Sequence, residues 1–93
     1  MELDKNKQFR ERLEVIFEEY RDFIKLPDDK KTRWVLDRIC YDLGQLSIDI
    51  TRCIQQKGKN MHPAYLVDLF NTYRDVDSFY HCVDMERDYV QHS

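Results

Sequence analysis

His81 is the histidine most closely surrounded by carboxylates at helical spacing. Asp77 lies four residues before it and Asp84 three after, so all three share one face of a helix. With Asp88 a turn further on, an imidazole among carboxylates is the raw material of an acid–base pair or a metal site. A zinc ion needs three or four converging ligands, and here a single helix offers them. A surface histidine with no metal, no cofactor and no catalytic role is therefore expected. His62, in the segment before Pro63, is expected to be solvated or to cap a helix, and His92 to be disordered.

Cys40, Cys53 and Cys82 are an odd number without CxxC spacing, neither a disulfide framework nor a zinc signature. Reduced structural thiols follow, in a cytoplasmic setting. Gly44 and Gly58 are isolated, so no glycine-rich phosphate loop exists, and neither a nucleophile elbow nor an HExxH motif occurs. An enzyme is not expected.

Six tyrosines, Trp34 and five phenylalanines could stack on bases, but stacking platforms also need a basic groove. The net charge is −3, and the basic residues gather at two distant places, Lys30/Lys31/Arg33 and Lys57/Lys59. Nucleic acid is not the expected partner. The charge is uneven: −1 over residues 1–26, +2 over 27–59 and −4 over 60–93.

These side chains must be positioned by helices. Of 93 residues, 42% are apolar and 13% aromatic, which excludes wholesale disorder, and four Gly plus Pro residues cannot supply the turns of an all-β fold. No run approaches a membrane span and no leader opens the chain, so a soluble protein is expected. Phe9, Leu13, Ile16, Phe17, Tyr20, Phe23 and Ile24 form one helical stripe, ended by Pro27. Asp28 or Asp29 is suited to cap a second helix that runs to Gly58. Pro63 opens a third, carrying Leu66, Leu69, Phe70, Tyr73, Val76, Tyr80, Val83 and Val90. Helices over about 5–26, 30–57 and 63–90 result, the last with a possible kink at 75–78. The expected fold is all-α and one domain, 1–93: a three-helix bundle, or a long hairpin with a third helix, open to completion by dimerisation.

The second helix carries two apolar faces. Val35, Leu36, Ile39, Leu43, Leu46, Ile50, Cys53 and Ile54 make a broad stripe suited to a core. Trp34, Tyr41 and Ile48 recur every seven residues close to the opposite side, flanked by Arg38, Gln45 and Arg52. Either both stripes are core, or the second meets a partner. The neighbours of a helix in a three-helix bundle rarely sit on opposite sides, which favours the partner. Trp, Tyr and Arg are also the usual anchors of interfaces.

The expected function is a non-enzymatic regulator, adaptor or inhibitor that binds another protein, a form that bacterial and viral regulators often take. Its expected contacts are Trp34, Arg38, Tyr41, Ile48 and Arg52, with an acidic surface of Asp75, Asp77, Asp84, Glu86 and Asp88. A homodimer is expected, since one small core contributes only a few kcal/mol at this length. The alternative is a small-ligand sensor whose pocket, between helices or across a dimer seam, holds a nucleotide-like molecule.

Overall fold

The computed structural model describes residues 2–91, and side chains over residues 5–90; the expectation for His92 lies outside them. Three helices follow in order: α1 (Glu2–Ile24), α2 (Arg33–Lys57) and α3 (Pro63–Gln91). No strand occurs among the described residues. Each helix packs on the other two, α2 and α3 most extensively, in a three-helix bundle about 50 × 18 × 15 Å. Arg12 meets Asp49 and Arg38 meets Glu19, so α1 and α2 run antiparallel. Arg87 meets Asp37, which makes α2 and α3 antiparallel as well, and leaves α1 and α3 parallel.

The core follows seven-residue rows. Phe9, Ile16 and Phe23 are buried on α1, Leu36, Leu43 and Ile50 on α2, and Leu69, Val76 and Val83 on α3. A seven-residue apolar repeat keeps one seam of a helix turned toward its neighbours along the whole length. Ile39, Leu46 and Cys53 form a second buried row on α2, as a helix with two neighbours requires. Phe17, Ile24, Phe70 and Tyr73, which the periodicity places in the stripes, stay exposed at their margins.

The connections differ from expectation in detail. Asp28–Lys30 winds into a separate 3₁₀ turn, and α2 starts at Arg33 with Thr32 at its N-cap, so neither aspartate caps it. Gly58 has φ −59° and begins a second 3₁₀ turn, Gly58–Asn60, which stops α2 without any glycine-only conformation. His62 does cap α3: its Nδ1 accepts the Ala64 N–H at 3.1 Å, with Pro63 in the first turn. The helix α3 runs unbroken through 75–78, where Val76 is buried against the core.

A polar tie joins the starts of α1 and α3. The Tyr65 hydroxyl accepts the Asn6 backbone N–H at 3.0 Å. The fully buried Thr72 donates to Asn6 Oδ1 at 2.7 Å, with the Asp68 carbonyl oxygen at 3.0 Å. A buried hydroxyl without a partner would be costly, so this network fixes the register of the two helices.

Candidate functional site

With the core rows of α2 turned inward, its opposite side faces solvent. Trp34 is 62% exposed and Tyr41 65%, and Ile48 is also exposed. Within one chain this stripe is not core. The Arg38 guanidinium lies 5.5 Å from the Trp34 ring centroid and also reaches Glu19 Oε2 at 3.3 Å. Its stacking on one side and ion pair on the other hold the indole in place. A Cβ added to Gly44 would meet no atom within 4 Å, so no backbone of this chain approaches there. Ile48 instead opens onto a groove of about 320 Å³ between α2 and α3, rimmed by Gly44, Asp77 and Tyr80.

Arg52 lies on the same outward line as Trp34, five turns along. It faces a different feature, a cleft between α1 and α2. A third surface, between α1 and α3, is nearly all apolar: Leu13, Phe17 and Phe79 line it, with Cys82 at its edge. The Phe79 ring stands 5.4 Å from both Phe17 and Tyr20.

The acidic residues of α3 do not form one face. Asp75 turns to α1 and pairs with Arg10 at 2.6 Å, and Glu86 lies near Tyr20 of α1. Asp77 lines the α2–α3 groove, and Asp84 pairs with Arg87 beside α2. His81 Nε2 is 3.6 Å from Asp77 Oδ2 with both side chains largely in solvent. Among the described residues no group of three or more His, Cys, Asp or Glu could hold a metal ion. No described helix is long and apolar enough to cross a membrane.

Arg87 is the clamp between α2 and α3. It bonds Asp84 on its own helix and Asp37 across the interface at 3.3 Å, with its side chain one quarter exposed. Desolvation works against its charge, but Cys40, Asp84 and Asp37 outweigh that, and its pKa lies above the ordinary arginine value. Arg87→Ala removes both bonds and leaves Asp84 without its cation, while Asp37 keeps only Arg33, at 3.7 Å on its own helix. We expect a loss of about 1 kcal/mol, which lowers Tm by about 4–8 °C; an unchanged melting curve would contradict the clamp.

Burial raises the pKa of the Cys40 thiol, Arg87 opposing and Asp84 and Asp37 adding to the rise. Burial also raises the Tyr20 phenol, helped by Glu86 and Cys82. Both folded groups keep their protons at a pH where the unfolded chain has released them. The folded state then binds more protons, so stability falls as pH rises. Tm is expected to decline from near the ordinary thiol value of 9.0 upward, and Cys40→Ala to flatten the first part of that decline. Parallel curves for the two proteins would show that Cys40 carries none of it.

The chain is an all-α three-helix bundle with an exposed aromatic helix face. Compared with protein-family models, with curated proteins and with solved structures, it matches none of them.

Proposed function

We propose that this protein is a non-enzymatic binding protein, a regulator, adaptor or inhibitor, that acts through the outer face of α2. The observation that carries the reading is the exposure of Trp34 and Tyr41 together with Ile48 on the side away from the core. Scattered exposed apolar residues are ordinary, but an aligned row of large ones flanked by arginine has the composition of an interface centre. The row keeps the same seven-residue spacing as the buried rows, so a helix is the shape that fits it. The first partner to consider is a second copy of this chain, which presents such a helix. Three thiols without a disulfide support a reducing, cytoplasmic compartment. The acidic edges of α3 are secondary surfaces for a basic partner.

Sedimentation equilibrium tests the reading. The mass should rise above 11.4 kDa with concentration in the parent chain and stay there in Trp34→Ala/Tyr41→Ala. A monomer at every concentration, with the same proteins captured from native extract by parent and variant, would remove it.

A further inference from the structure

The cleft between α1 and α2, about 280 Å³, is lined by two strips of matching spacing. Lys5, Gln8 and Arg12 follow at three and four residues on α1, and Asp49, Arg52 and Gln56 do so on α2. Each set therefore stands on one face of its helix, and the antiparallel packing turns the two faces toward each other. Arg12 bonds Asp49 at 2.9 Å and closes one end. Beyond that bridge Lys5 and Arg52 bring two further cations to the walls. Neither Lys5 nor Arg52 pairs with a described carboxylate, whereas Arg10, Arg12, Arg33, Arg38 and Arg87 all do. In a chain of net charge −3 with eighteen carboxylates, only Asp49 reaches this lining among the described residues.

The geometry points to an anion site here, for a small phosphate monoester. Like charges drawn together repel unless an anion is shared between them, and concave walls concentrate their field. A phosphate dianion offers several acceptor oxygens, which Arg52, Lys5 and the Gln8 and Gln56 amides can serve from both walls. Phe9 and Cys53, both buried in the core, form an apolar floor for the organic part of the ester. Arg52 borders the line of Trp34 on α2, but none of Trp34, Tyr41 and Ile48 lines this cleft.

Titration with inorganic phosphate, followed by backbone amide NMR at constant ionic strength, tests it on the full chain. Saturable shifts are expected on the first three turns of α1 and the last two of α2. Acetate, with one charge, should bind about tenfold more weakly, and so should phosphate to Arg52→Gln. Trp34→Ala should bind phosphate as the parent does, and far-UV circular dichroism establishes that each variant is folded. Non-saturable shifts, equal affinity for acetate and phosphate, or undiminished binding by folded Arg52→Gln and Lys5→Gln would each overturn the proposal.

Discussion

Leu43→Ala is expected to lower the unfolding free energy by about 2–5 kcal/mol, the usual cost of truncating a buried leucine. Leu43 is fully buried midway along α2, in the row that faces the other two helices. Removing its branch takes away apolar burial and leaves a hole that three packed helices can close only in part. Domains of this length have roughly 5–14 kcal/mol of stability in all, so one side chain accounts for a large share. Thermal or urea unfolding measures the change. A loss below about 1 kcal/mol would mean that the bundle collapses around the site, or that the core is less tightly packed than its burial indicates.

The second large effect concerns binding and leaves folding almost untouched. Trp34→Ala and Tyr41→Ala should each weaken association by about 2 kcal/mol, near thirtyfold, as aromatic anchors of interfaces do. Both side chains are more than three fifths exposed in the single chain, so monomer stability should move by no more than about 0.5 kcal/mol. Opposite behaviour at Leu43 and Trp34 separates the two faces of one helix. If Trp34→Ala instead destabilises the folded chain as Leu43→Ala does, the outer face belongs to the fold and carries no partner.

Much of this bundle is legible in the sequence because helix periodicity and breakers act locally. Pro27 ends α1 close to where it was expected, and the inward row Leu36–Leu43–Ile50 follows directly from spacing. The start of α2 was less legible. Asp28 and Asp29 suit an N-cap, but the chain first makes a 3₁₀ turn, and Thr32 takes that place without a side-chain bond. Nor does periodicity show how wide a covered stripe is. Phe17 and Phe70 fall on apolar faces yet stay about half exposed, and Phe17 meets its neighbour α3 only at the margin, through the Phe79 ring. The cationic cleft was hidden for a different reason. Lys5 and Arg52 are far apart in sequence, and only the antiparallel register of α1 and α2 places their strips opposite each other. The tie among Asn6, Tyr65 and Thr72 likewise spans the chain and left no local signal.

That tie has a consequence for how the molecule breathes. The most extensive interface lies between α2 and α3, neighbours in sequence, whereas α1 packs less extensively on α2 and reaches Tyr65 of α3 only across 59 residues. Local contacts form early and long-range ones late, so the α2–α3 hairpin is the natural nucleus and α1 the last element to dock. On the return journey α1 is the first to lift away, as one cooperative unit. Its amides should exchange with solvent at a lower opening energy than those around Leu43 and Val76. Each such opening would uncover the hairpin's inner rows for an instant while Trp34 and Tyr41 stay where they are.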